Sequence, residues 1–174
     1  MIRRRPIVPI AVVAASIATF FVARSASAGP SLGFDPDLAF PIDSPGNTGG
    51  GFVARLGYEL RLPLITATPE IAFTYHGFGG DFGPNIYRGL AGIRLGFGEI
   101  IRIGPLAHVG YGHLVPPRAP NADGFTWDIG AFANLTLLPV LNIGVHVVYN
   151  SLAATDTSST YKYLTTGLEL GLVF

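Results

Sequence analysis

Apolar and polar positions alternate with a period of two along most of this chain, most regularly at its end. Leu164, Leu168, Leu170, Leu172 and Phe174 fall on one side of an extended backbone there. Tyr163, Thr165, Gly167, Glu169, Gly171 and Val173 fall on the other. That period is the signature of a β-strand with one apolar and one mixed face. Seven earlier segments repeat it, near residues 32–42, 52–62, 70–76, 87–97, 101–111, 125–135 and 141–150, with the last strand at 161–174. Leu56, Ile71, Ile93, Val109, Ile129, Val145 and Leu168 represent the apolar side. The opposite side carries Asp35, Asp37, Arg55, Glu59, Arg61, Glu70, Arg88, Arg94, Arg102, Asp128 and Glu169 with many glycines. Pro36 and Pro105 lie inside predicted strands and are expected to mark bulges or strand boundaries, since proline cannot donate to a ladder.

The distribution of charge identifies the solvent. Apart from Lys162 at the tip of the last strand, the apolar faces hold no Asp, Glu, Lys or Arg. Arg or Lys on a lipid-facing strand costs about 2–4 kcal/mol at the bilayer midplane. A soluble ligand-binding barrel has the reverse arrangement, apolar inside and charged outside. The bulky Leu, Ile, Phe, Tyr and Trp set is therefore expected to face hydrocarbon, and the Gly-rich charged set to fill a narrow lumen. Connections alternate in length as well. Asp43–Gly51, Gly77–Ile86, His113–Gly124 and Ser151–Thr160 are long; Pro63–Pro69, Gly98–Ile100 and Leu137–Val140 are shorter. Membrane barrels have short periplasmic turns, one marked here by Pro139, and longer extracellular loops. Tyr75, Tyr87, Tyr111, Trp127 and Tyr149, with Phe125, gather near the predicted outer ends, as an aromatic girdle at the headgroup level does. Phe97 and Phe174 lie at the other end.

The first residues are of a different kind. Arg3, Arg4 and Arg5 precede an apolar run from Ile7 to Ala23, and Ala26-Ser27-Ala28 supplies the small residues of a cleavage site. This predicts a signal peptide, residues 1–28, removed after Ala28. A retained anchor is the alternative, but the run is short for a span of about 20 residues and Pro6 and Pro9 interrupt its start. Cleavage removes four arginines and leaves seven basic against 11 acidic side chains in residues 29–174. No basic patch then remains to neutralise several phosphates, which argues against nucleic acid. Without cysteine there is neither a disulfide framework nor a thiolate metal site.

With its signal sequence, eight dyad-patterned strands and the terminal Gly167-Leu168-Glu169-Leu170-Gly171-Leu172-Val173-Phe174, the chain resembles the small eight-stranded bacterial outer-membrane barrels. That group includes the OmpA-like transmembrane domain and the OmpX and OmpW types. The resemblance covers Gly29 to Phe174. It implies an all-β, antiparallel, up-and-down transmembrane barrel in the outer membrane, in contact with membrane lipid and lipopolysaccharide. It also implies Leu170, Leu172 and Phe174 as a signal read by the barrel-assembly machinery, with Glu169 standing where that family often has Gly.

An eight-stranded barrel is just wide enough for side chains to fill it. Five arginines against six carboxylates on the inward face predict mutual pairing, because buried charges persist when partnered. Arg55, Glu59, Arg61, Glu70, Arg88, Arg94, Arg102, Asp128 and Glu169 form the expected lumen network. Inward glycines such as Gly104 and Gly144 leave room for voids.

No catalytic residue, cofactor or metal is expected. His113 with Asp123, His76 with Asp81, and Ser151 are scattered polar positions rather than a nucleophile with its base. His76, His108 and His146 lie on separate strands, without the short ligand spacing of structural zinc sites. The expected function is that of a closed, monomeric barrel acting as a structural or surface-interaction protein through its extracellular loops. The alternatives are a narrow pore for ions or small apolar solutes and a lipid-modifying enzyme.

Overall fold

The computed structural model describes residues 27–174 apart from 43, 45, 63, 139 and 156–159; the expected signal-peptide residues Arg3 to Ala26 and the expected turn residue Pro139 lie outside the described residues. Eight strands follow one another: β1 Ser27–Pro41, β2 Asn47–Arg61, β3 Ile65–Gly79, β4 Asn85–Phe97, β5 Ile101–Val115, β6 Ala122–Leu138, β7 Leu141–Ala154 and β8 Thr160–Val173. Each pairs antiparallel with the next, and β8 closes on β1, giving an up-and-down barrel. The start of β1 and the end of β8 lie at one end, with the three shorter connections; the four longer ones are at the other.

The wall has the inside-out polarity its pattern predicts. Ile93, Val145 and Leu168 on the outside are 42%, 51% and 57% exposed, whereas Arg94 and Glu169 inside are 4% and 2% exposed. Hydrocarbon is the solvent that suits such an exterior. The apolar surface continues onto the turns at the terminal end, where Leu62, Leu64, Ile100, Val140 and Phe174 are all exposed. From Trp127 down to Leu138 on β6 is eleven residue-to-residue steps of strand. At about 3.4 Å per residue and about 40° of tilt that is roughly 28 Å, close to the ~25 Å apolar band of a membrane barrel. The band therefore runs from the Tyr75–Tyr149 aromatic level to the turns, and the turns sit at its lower boundary.

The strands are longer than the alternation alone predicts. They run 13 to 17 residues, against the roughly 9–11 needed to cross. Much of the excess lies above the aromatic level, in segments expected to be loop, and the rest at the terminal end, where Ile65–Pro69 joins β3. Gly49, Gly50 and Gly51 show why. Poor strand formers alone, they are zipped between Asp37–Ala39 on β1 and His76–Phe78 on β3. The connections shrink to five, three, five, three, six, two and five residues, keeping the long–short alternation.

Pro36 and Pro105 mark neither bulges nor strand boundaries. Pro36 keeps its register with Phe52 on β2, while the β1–β8 ladder skips the pairs at Asp35 and Pro36 without a shift. Pro105 likewise pairs with Ala131, and the β4–β5 ladder skips Pro105 and Gly104. Pro69, expected in a turn, lies in β3 and does the same between β2 and β3. In an antiparallel sheet each residue directs its N–H to one neighbour only, so one missing donor opens one ladder and spares the other. The register shifts fall elsewhere, at Asn47/Gly49 and Thr136/Leu138.

Gly104 and Gly144 do not leave the expected voids, whereas Gly96 and Gly171 line the cavity of the lower lumen. A Cβ on Gly104 would strike the backbone carbonyl of Leu95, and one on Gly144 the carbonyl of Ala133 and the amide of Asn134. Strong curvature brings neighbouring strands too close for a side chain at these points. Gly104→Ala should therefore lower stability by about 1–3 kcal/mol or prevent closure, whereas Gly89→Ala, which meets nothing within 4 Å on the outer face, should be nearly neutral. Heat-modifiable gel migration and urea midpoints of the refolded variants measure this. The sole tryptophan, Trp127, should be quenched more by bromines near the lipid headgroups than by bromines at the bilayer centre.

Candidate functional site: the barrel interior

Inward positions on the eight strands build three tiers along the axis. The lowest, at the terminal end, joins β2 and β5: Arg102 Nη1 donates to Glu59 Oε2 at 3.0 Å, and Glu59 also accepts from Arg61 Nε. Asn134, Asn142 and Thr66 complete it.

The middle tier is a belt of ion pairs. Arg55 donates through Nε and Nη2 to both oxygens of Asp35, at 2.7 Å each, a bidentate fork on neighbouring strands. Its Nη1 reaches Glu70 at 3.4 Å; Glu70 lies 3.0 Å from His108 Nε2, and His108 Nδ1 lies 2.7 Å from Asp128. Arg88 approaches Asp128 at 3.5 Å and donates to Thr74 at 3.0 Å. A second chain starts at His76, 3.0 Å from Asp37. It continues through His146, 3.0 Å from Asp37 and 3.4 Å from Glu169. It ends at Arg94, whose Nη2 donates to both Glu169 oxygens at 2.6 and 2.5 Å. Arg94 is on β4 and Glu169 on β8, so this pair spans the lumen. The Arg94 guanidinium also lies over the Phe132 ring, 4.1 Å from its centroid.

The upper tier is apolar. Ala39, Phe78, Ile86, Leu152, Tyr161 and Tyr163 form a buried cluster with Leu114 against it. Phe78 meets Tyr161 and Tyr163 edge-on at 5.3 and 5.2 Å. This plug fills the end that carries the longer connections.

Among the described residues the lumen holds two small cavities, about 50 Å³ in the lower half and about 30 Å³ in the upper. Each has room for a few waters, one needing roughly 10–15 Å³. Arg55, Arg94 and Glu169 line both and form the septum between them.

The structure thus brings the nine expected lumen residues onto the inner face and distributes them over two tiers. Asp35, Asp37 and the three buried histidines join them, and the histidines are the partners that counting arginines alone overlooks. The plug was also missed. Its signal lay in continuing the inward parity into presumed loops: two residues beyond His76 stands Phe78, two before Arg88 stands Ile86, and two beyond Asn150 stands Leu152.

Other expected positions separate. Tyr75 and Tyr87 pack at 5.1 Å, and Trp127 and Tyr149 at 5.6 Å, on the outer wall, with Tyr111 exposed at the same level. Leu170, Leu172 and Phe174 face outward, and the Phe174 N–H donates to the Pro30 carbonyl at 3.0 Å. His113 and Asp123 are not loop residues but ladder partners on β5 and β6, 2.6 Å apart and exposed. His76 is buried against Asp37, while Asp81 sits in a connection 3.9 Å from Arg118. Ser151 is buried in β7. No nucleophile and base come together among these residues. Donor atoms of Asp35, His146 and Glu169 lie within 4.8 Å of one another, but two guanidiniums already occupy the two carboxylates.

No protein-family model and no curated protein matches the chain. Solved structures do. Neisserial surface protein A aligns over 87% of this chain and 100% of its own, with a TM-score of 0.61 and 13% identity. Ail, the attachment invasion locus protein of Yersinia pestis, aligns over the same shares with a TM-score of 0.54 and 18% identity. The N-terminal β-barrel domain of Pseudomonas aeruginosa OprF covers 83% of this chain and 99% of its own, at a TM-score of 0.50 and 10% identity. The fold is that of the small eight-stranded outer-membrane barrels. Together with the apolar outer wall, that fold suits residence in the bacterial outer membrane.

Breaking the Arg94–Glu169 pair from one side strands a buried charge. Arg94→Met should cost about 3–5 kcal/mol, and the double variant Arg94→Met/Glu169→Leu should recover much of it. Urea unfolding of the refolded barrels gives both values.

Proposed function

We propose that the protein is a monomeric, non-conducting outer-membrane barrel whose work is done at its surfaces, as a structural and surface-interaction component. The observation that carries this reading is the double closure of the lumen. The aromatic plug fills the outer mouth, and the Arg55–Arg94–Glu169 septum divides what lies below it. A pore needs a continuous polar path. An enzyme needs converging reactive groups.

The outer connections available for contact are short. With outer connections of five, five, six and five residues, binding falls to the strand extensions above the girdle rather than to long loops. Arg118 stacks over Phe82 at 5.2 Å and lies 3.9 Å from Asp81, linking two of these connections. Lipopolysaccharide and outer-leaflet lipid are the partners this rim meets first. Leu170, Leu172 and Phe174, displayed on the outer wall of β8, suit recognition by the barrel-assembly machinery during insertion.

Planar-bilayer recording of the refolded protein tests the reading: no discrete current steps are expected above the lipid baseline. Reproducible single-channel steps in the wild-type protein would overturn it in favour of a narrow pore.

A further inference from the structure

The two ends of the outer wall differ in chemistry. At the end with the longer connections, the apolar wall stops at the level of Tyr111, Phe125 and Leu164. The next outward positions are polar: the His113–Asp123 pair on β5 and β6, and Lys162 on β8. The connections there carry Asp81, Arg118 and Asn121. The terminal end has no such border. Its three connections present Leu62, Leu64, Ile100 and Val140, all exposed. Ile100, Phe174 and Leu64, at 68%, 67% and 65%, are the most exposed large apolar side chains among the described residues.

The aromatic side chains beside these turns are Phe97 and Phe174, which lack the polar tip that holds tyrosine and tryptophan at an interface. Among the described residues of the three connections, Glu99 is the one charged side chain, and it has a partner. A single carboxylate at a turn tip can lie among headgroups while its neighbours lie in the acyl layer. Turns bordering water would carry the polar residues seen at the other end, because apolar surface of this extent is costly to hydrate.

We propose that the three turns of the terminal end are a lipid-contact surface, seated in the acyl chains of the leaflet on that side, so that the barrel ends within the bilayer and offers no face there to a soluble partner. Continuity and height favour lipid as the occupant. The turns prolong the outer wall without a polar break, so whatever covers Ile93, Val145 and Leu168 reaches them as well. The wall measures roughly 28 Å from Trp127 to Leu138; a hydrocarbon core of ~25 Å brings the turns to its edge, and one of about 30 Å covers them. Their burial should therefore follow bilayer thickness. This rests on the membrane reading of the wall but not on whether the barrel conducts.

The chain has no cysteine, so Leu64→Cys, Ile100→Cys and Val140→Cys report without background. Val145→Cys in the middle of the wall and Ala119→Cys in an exposed connection at the other end bracket the range. Each refolded variant, checked by heat-modifiable migration, is placed singly in nanodiscs of dioleoylphosphatidylcholine, both faces of which meet water, and alkylated with a charged maleimide. The turn positions should react about tenfold or more slowly than Ala119→Cys, as the transfer of such side chains out of lipid requires. In the thinner dilauroylphosphatidylcholine they should speed up towards Ala119→Cys while Val145→Cys stays slow. Turn positions as fast as Ala119→Cys in both lipids, with Val145→Cys slow, would overturn the proposal and leave the membrane reading standing. Turn rates indifferent to the lipid would overturn it too. Fast alkylation of Val145→Cys would remove the membrane reading and the proposal together. Protection found in isolated outer-membrane fragments but not in nanodiscs would assign the surface to a protein partner, and protection only in discs holding two barrels to a second copy; either result overturns the assignment to lipid.

Discussion

Closing eight strands into a narrow cylinder in hydrocarbon leaves one place for ionised side chains, and the remaining structure follows from that restriction. The lumen excludes bulk water, so each charge directed there requires a partner at hydrogen-bond distance. Arg55 with Asp35 and Arg94 with Glu169 meet this through two-oxygen contacts at 2.5 to 2.7 Å. Beyond the neighbouring strands, partners come from strands two apart and, in Arg94–Glu169, from the opposite wall. Glu70 on β3 meets His108 on β5, and Asp37 on β1 meets both His76 on β3 and His146 on β7. The polar belt therefore braces the cylinder across its diameter, something the ladders around its circumference cannot do.

The same confinement explains why the interior is not polar throughout. Above the belt the strands continue past the lipid, and a polar upper lumen would be a water-filled well ending on ion pairs. Phe78, Tyr161 and Tyr163 fill it instead, with ring contacts of 5.2 to 6.0 Å. Removing water from above the belt lowers the local dielectric and strengthens each pair beneath it. Plug and belt thus support each other. Below the belt the filling is incomplete, and the vestibule next to Arg102 is the result.

Parity was the most legible property of the chain. Since each side chain of a strand points opposite to the last, the inward place of Glu169 and the outward place of Leu168 could be read without coordinates, and so could strand number, antiparallel order and the alternation of connection lengths. What parity does not report is where pairing stops. Gly49–Gly51 and Pro69 have local preferences for turns, and only the pairing available on both sides of a closed barrel holds them in strands. Pro36 and Pro105 were misjudged for a related reason: a missing donor affects one ladder, and the other ladder holds the strand in place. The histidines escaped the charge balance because their contribution depends on neighbours. His108 lies between Glu70 and Asp128 and His146 between Asp37 and Glu169, and only an imidazolium, with both ring nitrogens protonated, donates to both carboxylates of such a pair.

The glycines illustrate how a local rule takes its meaning from closure. On a flat sheet Gly104 would be a gap in the inner surface, and a larger residue there would fill the lumen. On this tightly curved wall the carbonyl of Leu95 occupies the space where its Cβ would be. Enlarging Gly104 therefore acts on the wall rather than on the bore, and such a change cannot report on conduction. The bore is controlled by side chains that cross it, Arg94 and Glu169 in the septum and Phe78 and Tyr163 in the plug. Those residues determine whether the interior stays a pair of separate cavities or becomes a path.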